Sequence, residues 1–201
     1  YSRAVRVARR NILELLLSEH CGECYSCVRN GNCELQALAE EYGVDQYRFG
    51  HAPEPVAMDD SSYSVVRDMS KCIRCRRCVR TCIDMQEVGV LEAVNRSGRV
   101  HIQTFEDRPL AGVVCINCGQ CINRCPTGAL HAKDATKAVW DALDEPSKHV
   151  VIQTAPAPRA AMGELFGLEP GTTVTYQMNT ALKRLGFKHV FDTNFTADLT
   201  I

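Results

Sequence analysis

A chain of 201 residues is long enough for one large domain or for two or three small ones. Its 45% hydrophobic and 23% charged residues, with a formal net charge of −1, give no ground for a nucleic-acid or membrane-surface partner. No apolar run approaches the roughly 20 residues that a membrane span needs.

The first predicted element is a helix. Val5, Ala8, Ile12, Leu15 and Leu16 recur at helical spacing, with Arg3, Arg6 and Arg10 on another face. The helix delivers His20 to "CGECYSCVRNGNC", and "ELQALAEEYGV" then reads as a second helix that stops near Gly43. The following stretch, "FGHAPEPVAMDDSSYS", is rich in Pro, Asp and Ser and reads as a connecting loop. Two cysteine runs come next, each a strand or loop feeding a short helix. Between them "VGVLEAVNRSGRVHIQTF" alternates around a Ser-Gly pair, as a β-hairpin does. From Asp134 the pattern becomes "DATKAVWDALDE" as a helix, "HVVIQTAP" as a strand, "PRAAMGELFG" and "VTYQMNTALKRLGF" as helices, and "KHVFDTN" as a strand. Alternating strand and helix predicts an α/β arrangement there. Trp140 reads as a core residue.

The chemistry lies in the 12 cysteines. They stand in tight CxxC clusters, where residues three apart converge on one centre more readily than they bridge distant elements, so metal binding is expected rather than disulfides. That points to a reducing, cytoplasmic compartment. Cys72, Cys75, Cys78 and Cys82 read C-x2-C-x2-C-x3-C; Cys115, Cys118, Cys121 and Cys125 repeat that spacing, with Pro126 after them. This is the bacterial two-cluster ferredoxin pattern, in which the fourth cysteine of each run ligates the other cluster. One [4Fe–4S] cluster is therefore expected on Cys72, Cys75, Cys78 and Cys125, and another on Cys115, Cys118, Cys121 and Cys82. Structural zinc normally uses separated pairs. Ile83 stands where a proline would mirror Pro126. Lys71, Arg74, Arg76, Arg77 and Arg80 crowd the first run with no acid between them, either to raise a cluster potential, to attract an acidic redox partner, or simply as a solvated face.

The opening loop offers five candidates for four places: His20, Cys21, Cys24, Cys27 and Cys33. Spacing favours Cys21, which extends the step of three, and thiolate is the commoner cluster ligand. Adjacent residues point in different directions, so one of His20 and Cys21 is a bystander. His51, His101, His131, His149 and His189 lie outside any ligand spacing, and "TAPAP" lacks the glycines and lysine of a phosphate loop.

H-x3-C-x2-C-x5-C followed by "ELQ" and a two-cluster ferredoxin pattern resembles the iron–sulfur relay shared by [FeFe] hydrogenases, the large iron–sulfur subunit of complex I and some NAD-dependent formate dehydrogenases. The resemblance implies that His20, Cys24, Cys27 and Cys33 hold the first [4Fe–4S] cluster, reversing the preference for Cys21. "VVIQTAPAPRAAMGELFG" and "ALKRLGFKHVFDTNFTADLTI" resemble the start of the [FeFe] hydrogenase catalytic domain. The resemblance thus implies an α+β chain: a His/Cys3 module over residues 1–45, a linker over 46–69, a two-[4Fe–4S] ferredoxin-like domain over 70–133 and the first part of a catalytic domain over 134–201. Its function would be that of an electron relay with three [4Fe–4S] clusters, serving an H-cluster that lies outside these residues. A [2Fe–2S] cluster would belong to a longer chain. Partners would be a flavin- and NAD-binding iron–sulfur subunit or ferredoxin, in a hetero-oligomeric complex. The alternatives are a relay subunit of a complex I-like or formate dehydrogenase assembly, or a non-enzymatic electron carrier.

Overall fold

The computed structural model describes residues 2–44, 48–50 and 56–200. The expected module boundary at residues 45 and 46, and His51, lie outside the described residues. The chain is α+β and divides into two compact units, residues 1–133 and 134–201.

In the first unit α1 (Arg3–Glu19) starts where Ser2 Oγ accepts from the Val5 N–H at 3.3 Å. Its inward face differs from the expected one. Leu13, Glu14 and His20 are buried, while Val5, Ile12 and Leu15 are 42–56% exposed. Burying Glu14 requires charge compensation: Arg10 and Arg48 meet its two carboxylate oxygens at 3.0 and 2.9 Å. Helix α2 (Glu34–Glu41) packs on α1, with Arg9 donating to the Tyr42 hydroxyl at 3.0 Å.

The stretch expected as a linker contributes structure. Strand β1 (Val65–Arg67) pairs antiparallel with β4 (Leu130–Ala132). The polar residues before β1 serve as anchors: Asp59 Oδ2 accepts from the Leu110 N–H at 2.9 Å, and Ser62 Oγ donates to Asn117 Oδ1 at 2.7 Å. Composition predicts a solvated loop here because it cannot see these distant acceptors and donors. Strands β2 (Glu92–Val94) and β3 (His101–Gln103) form the expected antiparallel hairpin, with Ser97 and Gly98 in its turn.

The two cysteine runs share one backbone plan. Arg74 and Asn117 occupy equivalent positions and both have positive φ, 58° and 55°. Arg76 and Gly119, also equivalent, have φ of 61° and 70°. Helices α3 (Arg77–Arg80) and α4 (Gln120–Arg124) follow. The runs then diverge. Pro126 cannot continue a helix, so α4 ends at Cys125. Ile83 imposes no stop, and the chain continues as a π-helical turn over Thr81–Met85 that carries Cys82. Val65, Val90, Leu91, Ile102, Leu110, Ala129 and Leu130 form one core with Cys78 and Cys125.

The second unit has α5 (Thr136–Leu143), β5 (Val151–Thr154), α6 (Pro156–Leu165), α7 (Thr175–Arg184), β6 (His189–Asp192) and α8 (Thr193–Asp198). β5 and β6 pair in parallel, which demands a crossover, and α6 and α7 supply it. Trp140 is 45% exposed rather than core. Val174, Met178 and Phe187 are buried, whereas Leu165, Phe166, Tyr176, Phe195 and Leu199 are 54–84% exposed.

A non-glycine residue held left-handed costs about 1–2 kcal/mol. Gly119→Ala should therefore lower stability by about 1 kcal/mol, and Arg76→Gly at the matching position should be neutral or stabilising. Thermal unfolding of the two variants, compared with the unsubstituted chain, checks the pair of signs.

Candidate metal centres

The two runs exchange their last cysteines. Burial, then the neighbouring thiols of Cys72, Cys125 and Cys75, push the Cys78 thiol up to about 12. Burial, then Cys115 and Cys118, push Cys121 up to about 11, with Cys82 adding to the effect. A thiolate is repelled by the thiolates nearest to it, so these influences mark which side chains stand together. They are Cys72, Cys75, Cys78 and Cys125 in one place and Cys82, Cys115, Cys118 and Cys121 in another.

Each foursome lines a small cavity. Met69, Ile73, Ile102, Pro126, Ala129 and Leu130, with Arg76 and Thr127, complete the walls around the first. Val65, Val88, Val90, Leu91, Leu110 and Ile116 are among those around the second. Backbone N–H groups point at sulfur: Arg74 N–H at 3.4 Å from Cys72 Sγ and Val90 N–H at 3.3 Å from Cys82 Sγ. Thr127 Oγ1 lies 3.8 Å from Cys125 Sγ.

The opening loop gathers a third group. Burial pushes the Cys24 thiol up, and Cys33, Cys27 and Cys21 raise it further, in that order. The Arg29 N–H lies 3.5 Å from Cys27 Sγ. His20 is 8% exposed at the end of α1, and its Nδ1 accepts from the Gly22 N–H at 3.1 Å. That bond uses the Nδ1 lone pair. Iron on Nε2 would need the proton on Nδ1, so ligation through either nitrogen requires the Gly22 contact to give way. Cys21 needs no such change.

The loop is fastened to one of the two other sets. The Arg29 guanidinium donates to the Cys125 carbonyl at 2.8 Å, the Glu34 N–H to the Pro126 carbonyl at 3.0 Å and the Cys21 N–H to the Ser70 carbonyl at 3.3 Å. Gly128 makes close approach possible, because a Cβ there would lie 2.7 Å from Cys27 Sγ. The basic run takes part as well. Arg74 pairs with Glu19 at 2.6 Å, and Arg77 grips both Glu34 oxygens at 2.7 and 2.9 Å. Lys71 meets Asp68 at 2.6 Å. Acids from other segments thus answer two of the five charges, which the local sequence could not reveal, and Asp68, three residues earlier, answers a third.

The donor set fits an iron–sulfur cluster better than a single ion. Among the described residues no three His, Cys, Asp or Glu side chains are placed to hold one metal ion. Around one zinc, with Zn–S of about 2.3 Å, four sulfurs would sit about 3.8 Å apart. The thiols instead stand as foursomes, each lining a cavity.

Three family descriptions match consecutive parts of the chain. Residues 9–48 match the NADH-ubiquinone oxidoreductase-G iron–sulfur binding region, residues 62–131 the ferredoxin-like domain of NADH-quinone oxidoreductase subunit 3, and residues 148–201 the C-terminal domain of the iron-only hydrogenase large subunit. The chain is 50% identical to the NADP-reducing hydrogenase subunit HndD of Solidesulfovibrio fructosivorans, over 96% of this chain and 33% of that protein. It is 36% identical to iron hydrogenase 1 of Clostridium pasteurianum, over 100% of this chain and 35% of that protein. The chain thus spans about a third of the length of these two relatives. A solved NAD+-reducing [NiFe]-hydrogenase in its H2-reduced state aligns with a TM-score of 0.62 at 27% identity, over 67% of this chain and 58% of that one. No helix among the described residues is long and apolar enough to cross a membrane.

Gly128→Ala should drive Cys27 out of place and cost metal at the opening loop alone. Iron per chain should fall, while alkylation mapped by mass spectrometry shows the other eight cysteines still protected. Loss of protection across all three sets would contradict so local a role.

Proposed function

We propose, on the premise of a likeness to hydrogenase subunits that runs along nearly all of this chain, that it is the electron-relay part of an [FeFe] hydrogenase, with the first elements of its catalytic domain attached. The observation that supports it most is the crossed pairing of the two runs, each closing the other's set. When bound, iron–sulfur clusters supply sites that take up and release one electron at a time.

The chain's own residues would do the rest. His20, Cys24, Cys27 and Cys33 would hold one [4Fe–4S] cluster. Cys72, Cys75, Cys78 and Cys125 would hold a second, and Cys82, Cys115, Cys118 and Cys121 a third. The largely apolar walls around the two foursomes would limit water at the buried thiols, and the N–H groups of Arg74, Val90 and Arg29 would stabilise negative charge on sulfur. The fastening of the opening loop to Cys125, Pro126 and Gly128 places its site beside the Cys72 set. Residues 1–45 would then be a His/Cys3 module, 70–133 a ferredoxin-like domain and 134–201 the start of the catalytic domain. The exposed apolar residues of the second unit are those that further catalytic-domain segments would cover.

The match of residues 148–201 to the iron-only hydrogenase domain favours hydrogenase over a complex I-like or formate dehydrogenase relay. An H-cluster, and in a longer chain a [2Fe–2S] cluster, would be held by residues outside this segment. The electron partner would be a flavin- and NAD-binding iron–sulfur subunit or ferredoxin, in a hetero-oligomeric cytoplasmic complex. The likeness to an NADP-reducing hydrogenase subunit supports that choice.

Anaerobically prepared protein should contain about twelve irons per 201-residue relay, the three-cube count; stoichiometric zinc in their place would sink the proposal. Electron paramagnetic resonance should show the opening-loop cluster disturbed by His20→Ala and unchanged by Cys21→Ala. The reverse result would move the fourth ligand to Cys21.

A further inference from the structure

Lys71 stands between two of the three sets. Its backbone belongs to one of them: Cys72 follows it directly, and its carbonyl accepts from Thr127 Oγ1 at 2.7 Å. Thr127 is 1% exposed and sits against Cys125. Its side chain belongs to the other. A Cβ on Gly128 would meet Cys27 Sγ at 2.7 Å and Lys71 Cδ at 3.3 Å, so the lysine stem and the Cys27 sulfur line the same gap. The ammonium is nearly enclosed. Nζ lies 2.6 Å from Asp68 Oδ2, with the two side chains 13% and 12% exposed.

The pair is coupled. Burial works against the Lys71 ammonium, but the Asp68 carboxylate, then Cys27 and Cys21, outweigh it and push its pKa up. Burial also works against the Asp68 carboxylate; Lys71 and Ser70 outweigh it and pull its pKa down. The lysine stem lines the gap beside Cys27 Sγ and carries the ammonium to Asp68. Arg74 and Arg77 carry similar charge, but their guanidinium groups are 30% and 48% exposed. Water screens them more than it screens Lys71.

We propose that Lys71, backed by Asp68, sets the reduction potentials of the two neighbouring clusters, as a buried positive charge wedged between the opening-loop site and the Cys72 site. This rests on the reading that both sites hold iron–sulfur clusters. Each electron passed between them leaves one site as it enters the other; no bond forms or breaks and no proton moves. The receiving site becomes more negative by one charge, and the nearby ammonium favours that state. Placed between the sites, the same charge also screens them from each other, so that both can be reduced at once.

Potentiometric titration of the anaerobic holoprotein, followed by electron paramagnetic resonance, tests this without reference to hydrogen turnover. Lys71→Met should make reduction of both clusters about tenfold less favourable, a fall of about 59 mV for one electron. Asp68→Asn should shift both the other way, because it leaves the ammonium uncompensated. Lys71→Arg should restore the original values. A purely structural pair would give shifts of one sign, or loss of the clusters, in both variants, and either result overturns the proposal. Intact cluster signals with unmoved potentials overturn it alone. Absence of both signals from the unsubstituted protein overturns the underlying reading together with it.

Discussion

Each cysteine run closes the other's set, and most of the first unit follows from that constraint. Cys82 must reach the company of Cys115, Cys118 and Cys121, and Cys125 that of Cys72, Cys75 and Cys78. The two loops must therefore lie face to face with their helices crossing between them. The β1–β4 pairing holds the ends of this arrangement, and the Asp68 N–H donates to the Ala129 carbonyl at 2.8 Å to extend it. The apolar core cannot be separated from the thiols, since Cys78 and Cys125 belong to it. A region of this size buries little surface on its own. On the proposed reading the clusters serve as its internal staples, and metal loading and folding are one process.

How much was legible in the sequence depended on how local each cause was. The C-x2-C-x2-C-x3-C spacing carries the crossed grouping because that chemistry is encoded within eleven residues. The β2–β3 hairpin and the β5, α6, α7, β6 order were equally legible, from alternation and helical periodicity. The buried face of α1 was not. Val5, Ile12 and Leu15 repeat at helical spacing, yet Leu13, Glu14 and His20 turn inward, because Arg48 and the cysteine loop decide that face from a distance. Strand β1 was missed for a similar reason: the Asp and Ser residues before it look like loop composition, but they satisfy the Leu110 N–H and Asn117.

Comparing the two runs shows how one residue changes a site without touching a ligand. Pro126 ends α4 at Cys125, and the buried stretch from Cys125 to Leu130 can then turn straight into β4. Ile83 lets the first run continue as a π-helical turn, which widens the backbone at Cys82 and leaves Ile83 and Met85 exposed at 43% and 59%. Ligand spacing is the same in both runs. The environment of the fourth cysteine is not: Cys125 is buried beside a threonine hydroxyl, and Cys82 is half-buried and receives the Val90 N–H. Burial and hydrogen bonding are the two influences that most readily separate the potentials of like clusters.

On the proposed reading, the docking of the opening loop gives the relay an order. Its contacts reach Ser70, Cys125, Pro126 and Gly128, all of which border the Cys72 set. None of these four lines the cavity of the Cys82 set, which is walled by residues such as Val65, Leu91 and Leu130. On the proposed reading, an electron arriving at the opening loop would meet the Cys72 set before the Cys82 set. The basic run is part of the same logic. Arg74 and Arg77 bind Glu19 and Glu34 on either side of the opening loop, so two of the five charges that read locally as a solvated face, a partner surface or a tuner of potential hold two segments of one chain in register. Their service is to keep two sites adjacent, and adjacency is the property on which a relay depends.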